Sequence, residues 1–134
     1  MQSLARRGAS SIVVQAVAYS LLDQSLDDID RWIRFKFVYR PEIEEIVRTP
    51  QFMLKQLDEQ GIFEGDCDDI STLYASLLKA LHYAVRFVAI RYDNTPDFKH
   101  VFIEAWTGAG WRALDPTVAP GTPYHEIERM EVSV

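Results

Sequence analysis

GDCDDISTLYASLLKAL, residues 65–81, contains the most regular hydrophobic pattern in the chain. Asp66 is a helix-capping residue type, and Asp69 stands three residues later, where the acid of a capping box belongs. The apolar residues that follow recur at i, i+3, i+4, i+7, i+8 and i+11: Ile70, Leu73, Tyr74, Leu77, Leu78 and Leu81. This spacing predicts a long amphipathic helix with Cys67 in its first turn.

Two further helices are predicted near the start of the chain. Ser10 caps the first, whose apolar residues recur at helical spacing: Val13, Ala16, Val17 and Leu21. Ser25 or Asp27 opens the second, and one of its faces holds Ile29, Trp32, Ile33 and Phe37. Pro41 is predicted to end this helix, because proline cannot continue one.

A third helix and a loop are predicted directly before the long helix. Thr49 is a capping residue type, and Pro50 then occupies the first helical position, where its missing N–H costs nothing. This helix extends to about Leu57. Residues 61–65 begin and end with glycine and are predicted to form a loop.

The back half of the chain changes to strand periodicity. Strands are predicted at residues 84–92, 99–106 and 111–114. Residues 93–96 form a turn, residues 107–110 form a hairpin turn, and Asp115 before proline stops the third strand. Residues 127–132 add an edge strand. Helices followed by antiparallel strands predict an α+β fold.

Composition excludes several classes of protein. The 134 residues fit one domain, and 48% apolar residues can build a core. A net charge of −6 argues against a nucleic-acid binder, which needs a basic face. One cysteine allows no internal disulfide. No apolar run reaches about 18 residues, so no membrane span is predicted.

Residues 1–22 carry a faint signal-peptide pattern. Arg6 and Arg7 precede a short apolar stretch, but Gln15 interrupts it before the A-x-A site at residues 16–18. We therefore expect no export signal and a cytoplasmic protein.

Cys67 is the first candidate catalytic residue. Free N–H groups and the positive end of the helix dipole favour a thiolate in the first helical turn. Carboxylates nearby oppose a second negative charge: Glu64, Asp66, Asp68 and Asp69. A cationic imidazole is therefore needed beside the sulfur.

His100 and Asp115 are the candidate partners of this thiol. Strand alternation places His100 on the same face as Phe102. If the hairpin pairs Trp106 with Trp111, Phe102 faces Asp115, which becomes a diagonal neighbour of His100. We expect the long helix to pack on this face and bring the sulfur to the ring. Nucleophile, base and orienting acid then form a triad.

Three blocks of sequence carry a family resemblance. They are GDCDD at residues 65–69, HVFIEAW at 100–106 and GWRALDPT at 110–117. In order and spacing they resemble the signature blocks of the transglutaminase-like superfamily, over residues 28–117. GDCDD with the upstream Thr49-Pro50 is similar to the compact variety often carried by phages and prophages. One departure is Leu-His-Tyr at residues 81–83, where the family usually has a glycine.

The resemblance implies a papain-like core, with the nucleophile at a helix N-terminus packed on an antiparallel sheet. It makes Cys67 the nucleophile, His100 the general base and acid, and Asp115 the orienting carboxylate, with no cofactor. The core would span residues 25–117, between a helical extension at 1–24 and a C-terminal segment at 118–134.

The resemblance also implies a reaction, in which a thiolate attacks an amide and the acyl group passes to water or an amine. Hydrolysis of a protein or peptide is favoured over crosslinking, because a short chain has little material to shield the acyl-enzyme. A virion-associated assembly protein, with phage structural proteins as partners, is the main alternative. A groove that binds peptides without chemistry is another.

Further side chains are weaker candidates. Tyr39 and Gln60 are candidate oxyanion donors beside the N–H of Cys67, and Asp68, Trp106 and Trp111 are candidate cleft residues. No metal site is predicted, because the spacing of a calcium loop is missing. A zinc site would need Cys67 with scattered histidines that lack ligand spacing, namely His82, His100 and His125.

Overall fold

The protein is described by a computed structural model that covers residues 1–41 and 47–134. Its helices are α1 (Gln2–Ala9), α2 (Ile12–Ser20), α3 (Leu26–Lys36), α4 (Pro50–Gln60) and α5 (Cys67–Ala80). Its strands are β1 (Phe37–Tyr39), β2 (Phe63–Gly65), β3 (Val85–Arg91), β4 (His100–Trp106), β5 (Trp111–Leu114) and β6 (Glu128–Ser133). Helices lead and an antiparallel sheet follows, so the predicted α+β class is confirmed.

Helix α5 is the centre of the fold. Its predicted capping box is present: the Asp66 side chain accepts from the N–H groups of Asp68 and Asp69, and the Asp69 carboxylate accepts from the Asp66 N–H. Every residue from 69 to 78 is buried. Amphipathic spacing alone predicts one buried face, but α5 has helices on one side and the sheet on the other.

The main sheet has four antiparallel strands in the order β5-β4-β3-β6. Trp106 pairs with Trp111, as the hairpin pattern predicts, and Ile103 therefore pairs with Leu114. Strand β6 lies on the outer side of β3 and confirms the predicted edge strand. With this register, Asp115, one residue beyond β5, lies at the same end of the sheet as His100, the first residue of β4.

The face of the sheet that α5 covers differs from our expectation. Val101, Ile103 and Ala105 lie in the main core with the residues of α5. Phe102 instead belongs to a small cluster on the opposite face, packed against Tyr124. We expected α5 to lie on the His100 face of the sheet, and this expectation is wrong. The more continuous apolar character of the alternate face, Val101, Ile103 and Ala105, explains this choice.

Two predictions for the N-terminal region are wrong. Helix α1 is not anticipated by the sequence pattern, and Ser11 rather than Ser10 caps α2 by accepting from Val14 N–H. The buried residues of α2 are Val14 and Ala18, whereas Val13 and Ala16 are exposed. Helix α1 packs closely on α5, since a Cβ on Gly8 would lie 2.6 Å from Ser76 Oγ.

The segments around β1 and β2 also differ from the prediction. Helix α3 is capped by Ser25, as expected, but ends at Lys36 before any proline is reached. Strand β1 follows and pairs in parallel with β2, which occupies part of the predicted loop at residues 61–65. Helix α4 has its predicted cap, Thr49, and extends to Gln60. Three-residue strands have too little sequence for their periodicity to be visible.

The end of α5 explains how the chain accommodates the missing glycine. Tyr83 N–H donates to Leu78 O and His82 N–H to Lys79 O, both at 2.9 Å, which is a Schellman motif. Its left-handed position is held by His82, with φ 67°. An L-residue pays about 1 kcal/mol or more in this conformation, which glycine adopts freely.

Replacing His82 by glycine is therefore expected to stabilise the protein by about 1 kcal/mol, measured by urea unfolding. His82→Ala is the matched control, because it removes the exposed imidazole but keeps the strained backbone. Equal stability of the two variants would contradict the strain argument.

Candidate active site

Three separate elements bring Cys67, His100 and Asp115 to one end of the sheet. Cys67 is the first residue of α5, His100 is the first residue of β4, and Asp115 follows the last residue of β5. His100 Nε2 lies 2.6 Å from Asp115 Oδ2. The Cys67 side chain acts on the same imidazole and raises its pKa, which places the thiol close to the ring. Since Asp115 engages Nε2, Nδ1 is the ring nitrogen left for the sulfur.

Asp115 is buried, with 4% of its side chain exposed, and both of its oxygens are used. Oδ1 accepts from Thr117 N–H at 3.0 Å and from Thr117 Oγ1–H at 2.6 Å. Oδ2 accepts from His100 and from the Tyr124 hydroxyl at 2.5 Å. Burial acts to raise the pKa of Asp115, but these hydrogen bonds outweigh it and hold the pKa below its ordinary value. The carboxylate therefore stays ionised.

The environment of His100 favours an imidazolium. Burial acts to lower its pKa, but hydrogen bonds to Asp115 and Cys67, with the charges of both, raise the pKa to about 9. The ring also stacks beside Phe102 and Tyr124, with centroids 6.1 and 6.0 Å away and an interplanar angle of 29° in both cases. The side chain remains 17% exposed, so a reactant can approach it.

We expect Asp115→Asn to lower the pKa of His100 from about 9 toward 6.5, because the variant removes the charge and keeps the shape. An NMR titration of the His100 ring protons measures this change. Asp97→Asn, at an exposed acid outside the site, is the matched control. An unchanged His100 pKa in Asp115→Asn would show that the carboxylate does not stabilise the imidazolium.

The carboxylates around Cys67 are engaged by nearby donors. Asp66 and Asp69 hold the N–H groups of the first helical turn, and Asp69 also accepts from Arg48 N–H at 2.6 Å. Glu64 forms an ion pair with Arg40. Donors directed at these oxygens offset part of their negative charge. Asp66 and Asp69 thus stabilise the first turn of α5, and this turn positions Cys67.

A cleft of about 480 Å³ opens beside His100. Its described lining residues are Tyr39, Ile90, Tyr92, His100, Thr117, Val118, Thr122, Pro123, Tyr124 and His125, and we call it the tyrosine cleft. Burial raises the pKa of Tyr39, and the negative charge of Cys67 raises it further. Tyr39, at the end of β1, therefore lines the cleft and lies within range of the charge of Cys67.

The other sequence candidates are placed differently. Gln60 is the exposed last residue of α4 and does not line the tyrosine cleft. Trp106 and Trp111 stack edge to face at 5.5 Å, but at the far end of β4 from His100, about 20 Å away along the strand. They are therefore not cleft residues. Asp68 acts on the Tyr39 phenol by its charge and so lies toward the site.

Sequence reasoning missed the two residues that hold Asp115, namely Thr117 and Tyr124. Thr117 is two residues beyond Asp115, and a local turn with a hydroxyl donor at this spacing is a signal that could have identified it. Tyr124 lies in a segment without periodicity. Its ring stacks on Phe102 at 4.5 Å with an interplanar angle of 1°.

A second layer of contacts holds the loop that follows Asp115. Arg34 of α3 donates to Val118 O at 2.5 Å and to the Asp30 carboxylate at 2.7 Å. Tyr74 of α5 donates to the same carboxylate at 2.9 Å. The long helix that carries Cys67 is thereby linked to the loop that holds Asp115.

Residues 1–41 and 47–134 hold neither a cluster of metal ligands nor a membrane-spanning helix. Within these ranges no group of three or more potential ligands, His, Cys, Asp or Glu, is placed to hold a metal ion. None of the helices described there is both long enough and apolar enough to cross a membrane.

Comparison with known proteins identifies the family and the fold. No curated protein matches the chain. A crystal structure described as that of "a Putative Cysteine Protease" from Cytophaga hutchinsonii matches with a TM-score of 0.57 and 24% identity, which shows a shared fold. The match covers 78% of this chain and 36% of that one. The family model of the transglutaminase-like superfamily matches residues 13–116. This is well over half of the 134 residues, and the chain therefore belongs to the transglutaminase-like superfamily.

Proposed function

We propose that the protein is a thiol-dependent acyl transferase that hydrolyses amide bonds in proteins or peptides, with Cys67, His100 and Asp115 as its triad. The observation that carries this proposal is the position of His100. Its ring bonds to a buried, ionised carboxylate on one side and interacts with the only thiol of the chain on the other. An activated nucleophile requires these two partners of the base.

The proposed reaction has two steps. The Cys67 sulfur attacks the amide carbonyl, and the imidazolium of His100 donates its proton to the departing nitrogen as the C–N bond breaks. The neutral imidazole then takes a proton from water, whose oxygen attacks the thioester. The C–S bond breaks, the acid is released, and the proton returns to the sulfur–imidazole pair. Asp115 stays ionised throughout and keeps the ring oriented.

The first helical turn supports charge stabilisation in these steps. The Cys67 N–H is in the first turn of α5, where N–H groups have no carbonyl partner within the helix. It is suited to bind the developing oxyanion, which lies close to the sulfur. The Tyr39 hydroxyl is the proposed second donor, because the charge of Cys67 contributes to the raised pKa of the Tyr39 phenol. Gln60 is not proposed for this role.

Water is the proposed acceptor of the acyl group. The tyrosine cleft is open to solvent, since Tyr39 and Tyr92 on its walls are 52% and 53% exposed. Water that enters this cleft reaches His100, which takes the proton from it in the second step. The phage setting stays a prediction from the GDCDD resemblance.

p-Nitrophenyl acetate tests this proposal as a minimal acyl donor. We expect a burst of p-nitrophenolate equal to the protein concentration, an acetyl group on Cys67 detected by mass spectrometry, and slower release of acetate. Cys67→Ala is expected to show neither burst nor adduct. If the wild-type protein also gave no burst and no adduct, the enzyme proposal would fail, and a binding or assembly role would be favoured.

A further inference from the structure

The chemistry of the tyrosine cleft indicates what enters it. Three tyrosine rings line it, those of Tyr39, Tyr92 and Tyr124. Three aliphatic side chains lie beside them, those of Ile90, Val118 and Pro123. Among the described lining residues none is an acid, a lysine or an arginine, although the chain carries 34 such residues in total, 14 basic and 20 acidic. About 480 Å³ is within the usual range of small-molecule pockets, about 300–1,000 Å³. Apolar walls of this size suit one large aromatic side chain.

The position of the cleft determines which part of a substrate reaches it. His100 lines the cleft, and so do Thr117 and Tyr124, the residues that hold Asp115. Cys67 does not line it. In the proposed mechanism His100 donates its proton to the departing nitrogen, so this nitrogen lies next to the imidazole ring. A substrate group that extends beyond the imidazole, on the side away from the sulfur, is therefore attached to the nitrogen. The cleft therefore faces the amine side of the amide bond.

We infer that the protein acts on amides whose amine side carries an aromatic side chain, and that this ring occupies the tyrosine cleft. The inference rests on the proposed function for its chemistry, but the binding of the aromatic group can be measured without turnover.

The first experiment follows the acyl-enzyme formed from p-nitrophenyl acetate. Phenylalaninamide or glycinamide is added, and its nitrogen attacks the thioester. A C–N bond forms, the C–S bond breaks, and the amine proton passes through His100 to the sulfur. We expect N-acetylphenylalaninamide to form about tenfold faster than N-acetylglycinamide at equal amine concentration, because burial of the ring favours its capture. Chromatography of the products gives the ratio.

The second experiment measures binding to Cys67→Ala, which cannot be acylated at this residue. NMR titrations with the same two amides are expected to show tighter binding of phenylalaninamide, by about tenfold, with shifts at Tyr124 and His125. Selective binding without an acyl-enzyme in the wild-type protein would uphold this inference and overturn the proposed function. Equal binding of the two amides would overturn the inference, whether or not the acyl-enzyme forms.

A pair of tyrosine variants assigns the selectivity to the cleft. Tyr92→Ala removes one wall and is expected to lower the preference for phenylalaninamide severalfold in both experiments. Tyr19→Ala is the matched control, because Tyr19 is 77% exposed on α2 and lies outside the cleft. An undiminished preference in Tyr92→Ala would overturn the assignment to this cleft.

Discussion

In the His100→Ala variant, iodoacetamide is expected to alkylate Cys67 about a hundredfold more slowly than in the wild-type protein at pH 6. An ordinary cysteine, with a pKa near 8.5, is less than about 1% ionised at this pH. In the wild-type protein the imidazolium of His100 interacts with the Cys67 side chain and can offset the negative charge of the sulfur as it attacks the reagent. The variant removes this cation but keeps the helix start. Its capping acids, Asp66 and Asp69, remain in place.

The dependence of this difference on pH follows from His100. Because its pKa is raised from 6.5 to about 9, the imidazolium is fully present below pH 6.5 and is lost as the pH rises through about 9. The ratio of the wild-type rate to the variant rate should therefore be largest in mild acid and should decline toward 1 above pH 9. Mass spectrometry after timed labelling measures both rates.

His82→Ala is the matched control for this experiment, since His82 is an exposed histidine at the other end of α5. It is expected to label at the wild-type rate throughout the pH range. Sluggish labelling of the wild-type protein at pH 6, equal to that of His100→Ala, would indicate an ordinary thiol and would remove the basis of the proposed mechanism.

Gly65→Ala is expected to destabilise the fold by about 2–3 kcal/mol and to slow the labelling of Cys67. A Cβ at residue 65 would lie 2.6 Å from Asp69 Cβ and 2.8 Å from Asp69 Oδ2. Asp69 is fully buried, and its carboxylate accepts from the N–H groups of Asp66 and Arg48. The new methyl group forces this carboxylate away from its donors or moves the start of α5. Either movement displaces the sulfur from the imidazole.

Urea unfolding measures the loss of stability, and timed iodoacetamide labelling measures the displacement of Cys67. Gly110→Ala is the matched control: a Cβ there would meet no atom within 4 Å, and the backbone is not in the left-handed region. We expect its stability to change by no more than about 0.5 kcal/mol. Comparable stability of the two variants would show that the glycine of the GDCDD block is not required by close packing.

Much of the site could be predicted from the sequence because local rules govern it. Asp66 and Asp69 define where α5 begins, and this places Cys67 in the first turn whatever surrounds the helix. Strand alternation and the pairing of Trp106 with Trp111 then place Asp115 diagonally from His100. These relations depend on residues close in sequence or on one hairpin turn.

Other parts of the site could not be predicted from the sequence, since they depend on segments far apart in it. Tyr124 donates to Asp115 from a segment without regular structure, so no sequence periodicity predicts this contact. Strands β1 and β2 exist because a parallel partner is available to each, and β1 carries Tyr39 to the wall of the cleft.

The sequence alone predicts the class of fold, the start of α5 and the proximity of Asp115 to His100. Only the tertiary structure decided which face of the sheet α5 covers and what holds Asp115 in place. The physical reason is that Val101, Ile103 and Ala105 compete with Phe102 and its neighbours for burial under one helix. Such a competition is resolved by the packing of the whole core.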